Sequence, residues 1–276
     1  MNKKIIKNLK REKETSSIKV FNYIKSYFIK FIAIIIFLVV WEILSIVGIF
    51  DSNFISSPST IILAIWHLIF YGTLIVDTLY TLLRVLIGLF LALLIAIPLG
   101  FLLGGFFKEI EHSINPLFRI LEQFNPLTLF HLLILVTLIN ELSTILVIYW
   151  AAQWPLLNNT VSGAKNVNPV HIKIAKSANF DKFDIFWKVQ LRSALPNIFT
   201  GLRLGILFAF LIAFGVEMMG MTTGKGLGYF ILLSQMNGEV SFIWAGIATM
   251  TLLSLTLTLL LTKIEKSLVK EKQSIN

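Results

Sequence analysis

The sequence predicts an all-α, polytopic membrane protein with about six transmembrane helices, and three observations carry that prediction. Hydrophobic residues make up 56% of the 276, charged residues only 14%, and the mean hydropathy is +0.82. A soluble domain of this length needs far more polar surface. The apolar residues are also blocked: Phe31–Phe50 holds a single charge, Glu42, while Val85–Phe107 and Phe242–Thr262 hold none. At a rise of about 1.5 Å per residue, each block spans about 30 Å, the thickness of a hydrocarbon core. Finally, the basic residues sit where membrane topology puts them. Lys3, Lys4, Lys7, Lys10, Arg11, Lys13, Lys19, Lys25 and Lys30 precede the first block, and Lys263, Lys266, Lys270 and Lys272 follow the last. The net charge of +9 is therefore read as a topology signal that places both termini in the cytoplasm, with lipid rather than nucleic acid as the contact.

Taken in order, residues 1–30 form a cytoplasmic basic arm, with a short surface helix expected at Ile18–Phe28. Its length and the lack of a small-residue cleavage pattern exclude a secretion signal. The transmembrane domain covers residues 31–262. Its first span ends near Phe50. Asp51–Tyr80 is expected not to span, with a helix started by Ser57-Pro58 and continuing over Ile61–Phe70, anchored by Trp66. In the second span Gly88, Ala92, Ala96, Gly100 and Gly104 recur every four residues. They form a smooth ridge for close helix approach, and Pro98 is expected to bend the helix. Lys108–Ser113 reads as a short turn. Phe124–Ile139 and Leu142–Leu157, each 16 residues without a charge, become spans only if extended toward Leu117 and Val161, with Asn140-Glu141 between them. Glu122, Gln123, His131 and Gln153 imply that these helices face protein or a water-filled path. Ser162–Leu195, rich in Lys, is a cytoplasmic loop. A fifth span runs from Asn197 to Met219, Gly220–Ser241 is an external loop, the sixth span ends at Thr262, and residues 263–276 form a cytoplasmic tail.

Chemical motifs are sparse. There are no cysteines, which removes disulfides, thiolate metal sites and thiol nucleophiles. His67, His112, His131 and His171 show no metal spacing. Gly224-Lys225-Gly226-Leu227-Gly228 resembles a phosphate loop only superficially: Met219 stands where the motif needs Gly, Gly226 where it needs Ser or Thr, and no strand precedes it. No catalytic group, cofactor or metal is expected, and the chain is not read as an enzyme.

The informative segment is the loop from His171. It contains two short helical stretches separated at Asn179-Phe180-Asp181, where Asn179 accepts a left-handed turn and Asp181 caps the second stretch. Phe183, Phe186 and Trp187 make that second stretch amphipathic. This loop resembles the EAA loop of ABC-importer permeases, and of the nitrate, sulfonate and taurine group in particular. Ala175 takes the second Ala position of that motif, and Asn179 takes its Gly position, 17 residues before Pro196. Leu195-Pro196 and Thr200-Gly201-Leu202-Arg203 lead into the fifth span as in the family. The resemblance extends from about Phe54 to Thr262 through Ser57-Pro58-Ser59, Thr81 to Gly88 with Arg84, Ile97-Pro98-Leu99-Gly100, Asn115-Pro116-Leu117, Asn125-Pro126-Leu127, Glu217-Met218-Met219-Gly220 and Gly226-Leu227-Gly228-Tyr229. It departs at Lys173, Ile174, Asn179 and Arg192, where the family has Glu, Ala, Gly and Pro.

The resemblance implies a type I transmembrane domain and a permease subunit in the cell membrane. Its partners would be an ABC ATPase, an extracytoplasmic solute-binding protein and a second permease chain, identical or not. The ATPase would dock on Ser162–Leu195 through Lys173, Ala175, Asn179, Phe180 and Asp181. Glu122, His131, Gln153, Arg203 and Glu217 are candidates for pathway or packing roles. The implied solute is a small anion such as nitrate, a sulfonate or taurine. The competing reading is a secondary transporter or channel, which would need ionisable residues within its spans. Glu42, Glu122 and His131 are the available ones.

Overall fold

A computed structural model describes residues 32–51, 53–106 and 108–270. Among them the regular structure is helical throughout, with no strand. The expected helix over Ile18–Phe28 lies outside the described residues. The chain divides into two compact units, Met1–Leu63 and Ala64–Asn276.

In the first unit, α1 (Ile32–Ile46) is the apolar helix expected for the first span. Its one charge is locally satisfied: the Glu42 carboxylate accepts from the Ser59 backbone N–H at 3.0 Å and the Ser59 hydroxyl at 2.7 Å. Ser59 lies in the first turn of α2 (Pro58–Tyr71). Pro58 is the first residue of that helix, and the Ser57 hydroxyl accepts from Thr60 N–H at 3.3 Å, the start expected from Ser57-Pro58.

The second unit is built on α3 (Leu74–Phe101), α6 (Asn140–Lys165) and α9 (Arg192–Met218), which pack together. α3 meets α6 along the small-residue ridge. An added methyl at Gly88 would lie 2.6 Å from Ile148 and one at Gly100 2.6 Å from Thr160, so only hydrogen permits this approach. α3 continues through Pro98 and loosens just beyond it into one π-helical turn, Leu102–Phe106. α11 (Val240–Lys270) and α10 (Leu227–Met236) pack on α9. Among the described residues three continuous helices, Leu74–Gly105, Lys182–Met218 and Val240–Leu268, are long and apolar enough to cross a membrane. A fourth candidate is a pair, α4 (Lys108–Glu122) and α5 (Pro126–Thr137), bent by 86°.

Several expected boundaries move. The helix of the second span starts at Leu74, inside the stretch Asp51–Tyr80 expected not to span. Lys108–Ser113 is helical, because α4 begins there. The third span is broken at Gln123–Asn125: Asn125 caps α5 by accepting from Leu127 N–H at 2.9 Å, and Pro126 takes the first helical position. Leu138, at φ 57°, ends α5, and Asn140 and Glu141 belong to the first turn of α6 rather than to the turn itself. The loop Gly220–Ser241 contains α10. The last helix runs on to Lys270, past Thr262.

Candidate functional site

Two assemblies of polar and aromatic side chains sit at opposite ends of α9, and cavities flank the bend between α4 and α5.

At the N-terminal end of α9, Asn168 caps α7 (Pro169–Ser177), accepting from Val170 N–H at 2.9 Å. Asn179 closes that helix. Its φ is +55°, its N–H donates to Lys176 O at 3.1 Å, and Phe180 N–H donates to Ala175 O at 3.1 Å. Those two bonds around a left-handed residue are the Schellman arrangement that Gly usually serves; Asn tolerates it because its short polar side chain does. Asp181 then caps α8 (Lys182–Asp184), its Oδ1 accepting from Asp184 N–H at 2.7 Å. A π-helical stretch, Ile185–Leu191, joins α8 to α9 without a break. The fifth span and the second stretch of the loop are therefore one helix from Lys182 to Met218 and not two, and it continues through Pro196. The widened turns bring Ile185 inward, and Phe186 meets Phe101 edge-on at 5.0 Å. The outer side keeps Phe183 69% and Trp187 50% exposed, with Phe180 beside them under the Lys188 ammonium at 5.1 Å. Of the other residues picked out in this loop, Lys173 is exposed and Ala175 is buried.

At the C-terminal end of α9, Glu217 is fully buried beside the nearly buried Arg84. The Arg84 guanidinium donates from Nη1 to Glu217 Oε1 at 2.7 Å and to Lys225 O at 2.8 Å. From Nε and Nη2 it donates to Glu141 at 2.9 and 2.5 Å. The Thr81 hydroxyl donates to Glu217 at 2.8 Å and accepts from Leu227 N–H at 2.8 Å. Gly228 N–H donates to Glu217 Oε2 at 2.9 Å, and Gly226 N–H to Asp77 Oδ1 at 2.9 Å. Carboxylates thus receive the first N–H groups around the α10 N-terminus, where negative charge is favourable. Gly226 has φ +120°, and a methyl there would lie 2.5 Å from Glu217 Cδ and 2.6 Å from Arg84 Nη1. The planar five-donor fork of arginine suits this multiple engagement, and an ammonium would not. Three sequence segments picked out for their pattern, around Arg84, Glu217 and Gly226, meet here. Asp77 and Glu141 completed the cluster unannounced. The available signal was an arginine ten residues into a helix whose one other charge is Asp77; an arginine at that depth needs a carboxylate inside the protein.

The remaining candidates fall elsewhere. Arg203 on α9 pairs with Glu265 on α11 and donates to Thr200 Oγ1 at 3.1 Å, a helix-to-helix brace. Gln153 is buried on α6. His131 is exposed, with Nδ1 3.1 Å from Leu127 O of its own helix. Glu122 borders two cavities, of about 550 and 510 Å3, that flank the bend. Among the described residues no group of three or more His, Asp or Glu side chains could hold a metal.

Comparison with known proteins gives the family. The profile of the binding-protein-dependent transport system inner membrane component matches residues 96–270. A Bacillus subtilis permease named for aliphatic sulfonate transport is 27% identical over 87% of this chain and 86% of its own length. A Synechocystis nitrate import permease is 32% identical over 72% and 74%. The Escherichia coli taurine transport system permease is 30% identical over 67% and 66%. The profile match contains all of α9, and it is to a transport component rather than to an enzyme family. The chain is a multi-pass membrane protein with the type I importer fold, and it belongs to the ABC-importer permeases of the nitrate, sulfonate and taurine group.

Proposed function

We propose that this chain forms the solute pathway of an ATP-driven importer and is driven through the segment Pro169–Leu191. A separate ATPase docks there, a second permease chain completes the pathway, and an extracytoplasmic binding protein delivers the solute. The observation that carries this reading is the exposed apolar surface of Phe183 and Trp187 on a helix that runs unbroken into α9, with the exposed Phe180 in the turn just ahead of it. Exposed aromatic side chains grouped in this way mark a protein contact. The unbroken helix supplies the lever: a push on Phe183 or Trp187 moves α9 as a rigid element, and with it the helices packed on α9. The solute belongs to the small anions for which the relatives are named, such as aliphatic sulfonates, taurine and nitrate. Both termini and Ser162–Leu195 face the cytoplasm, and Gly224 faces outward. Residues 1–30 and 263–276 act as a basic arm and tail on either side of the transmembrane domain, residues 31–262.

The test is uptake of labelled solute into vesicles carrying this chain with its ATPase and binding protein. ATP-dependent uptake that stops when the ATPase is omitted is the expected outcome. Uptake that persists without ATP would favour a secondary transporter or channel. Reporter fusions at Lys176 and Lys272 should read cytoplasmic and one at Gly224 external; a cytoplasmic reading at Gly224 would sink the orientation.

A further inference from the structure

The broken third span lies where two cavities come together. One is set against α4 and α6, the other against α5, α6 and α9, and they share Glu122 and Gln123. Backbone that leaves helical geometry at membrane depth is tolerated where protein covers it or where it borders an aqueous space. Interrupted helices of this kind line solute sites in transporters. In the second cavity Glu122 is the only ionisable side chain on the wall. Its carboxylate accepts from Asn158 Nδ2 at 3.3 Å on both oxygens, and among the described residues it forms no ion pair. The facing wall is aromatic. Trp150 and Trp154 meet edge-on at 5.2 Å, and both indole N–H groups are buried with no acceptor among the described residues. Around the first cavity Lys165 bonds Glu111 at 2.7 Å, and the Arg119 guanidinium donates to the neutral Asn115 at 3.0 Å.

In the second cavity an anion without a compensating charge meets the Glu122 carboxylate and no cation on the wall. A protonated amine meets the same carboxylate as a charge-assisted partner and the indole faces as a cation–π surface. The geometry points to Glu122 as the charge-selecting residue of the solute path, so that the solute carries a protonated amine beside any anionic group. This rests on the permease reading, and it narrows the solute class from small anions to amine-bearing ones.

The test uses the permease–ATPase complex in nanodiscs without a binding protein, so that selection by the delivering protein does not enter. Equilibrium binding of radiolabelled taurine, ethylammonium and ethanesulfonate is measured. The two amine-bearing probes should bind at least about tenfold more tightly than ethanesulfonate, the size of one favourable ion pair. Glu122→Gln should remove that preference and Glu122→Asp should keep part of it. Equal or tighter binding of ethanesulfonate by the parent chain overturns the assignment. So does an unchanged preference in Glu122→Gln, or no binding of either amine. ATPase association is followed on the same preparations. A parent chain that never associates with the ATPase defeats the permease reading itself, whereas a failed preference in an assembled complex defeats only the role of Glu122.

Discussion

The two ends of α9 are both dense in charged and aromatic residues, yet they are built on opposite principles. At the C-terminal end, Arg84, Glu217, Thr81 and Asp77 are buried and bond to one another or to the backbone around Gly226. At the N-terminal end, roughly 40 Å away at 1.5 Å per residue, Phe183 and Trp187 are exposed beside Lys188. A closed network holds a chain's own helices together, because removing one partner strands a buried charge. An open aromatic surface adds little to the stability of the isolated chain and becomes useful only when covered. A closed, paired cluster holds this chain's own helices, whereas an exposed aromatic group outside the apolar spans is left for a partner.

The largest expected effect tests the closed end. Arg84→Ala leaves Glu217 buried without its cation and should cost roughly 3–5 kcal/mol, seen as a collapse of folded yield and of the unfolding temperature in detergent. Arg84→Lys should recover only part of it, since one ammonium cannot serve Glu141, Glu217 and Lys225 O together. A folded, heat-stable Arg84→Ala protein would break the comparison. Next in size, Gly226→Ala should cost on the order of 2–3 kcal/mol, combining positive φ with the crowding against Glu217; the same measurement reads it.

Two further substitutions sharpen the open end. Phe183→Ser with Trp187→Ser should leave the unfolding free energy within about 1 kcal/mol of the parent, because exposed side chains contribute little, while ATPase co-purification falls by about tenfold or more, as loss of two interface anchors requires. Smaller still, Asn179→Gly should be silent, whereas Asn179→Val should weaken ATPase association, because a β-branched residue resists left-handed geometry by about 1–2 kcal/mol. The smallest effect belongs to Lys173→Glu. It is an exposed single charge worth about 0–1 kcal/mol, so a large loss of uptake, restored by charge reversal in the ATPase, would bring Lys173 into the interface.

Much of this was legible in the sequence, for local reasons. Hydrophobic blocks gave the helical class. Gly88, Gly100 and their four-residue spacing gave the ridge that α6 fills. Asn179 and Asp181 declared a turn and a cap from side-chain chemistry alone. The break in the third span was also written, in Asn125-Pro126, a cap residue followed by a helix-starting proline; the apolar run around it concealed the signal. What could not be read was long-range. Glu217 and Arg84 lie 133 positions apart, and nothing in either segment names the other. The continuity of Lys182–Met218 was hidden because Pro196 suggests a stop, although a helix survives a missing N–H when packing on both sides holds it.

The central claim is that the segment ahead of α9 is the contact for the ATPase. The chain has no cysteine, so single-cysteine variants report without background. Trp187→Cys and Lys225→Cys, one at each end of α9, are treated with a short bis-maleimide in the presence of an ATPase carrying one cysteine at its permease-facing surface. A crosslink from Trp187→Cys and none from Lys225→Cys is expected. A crosslink from Lys225→Cys, with Trp187→Cys reacting only with free maleimide, would contradict it.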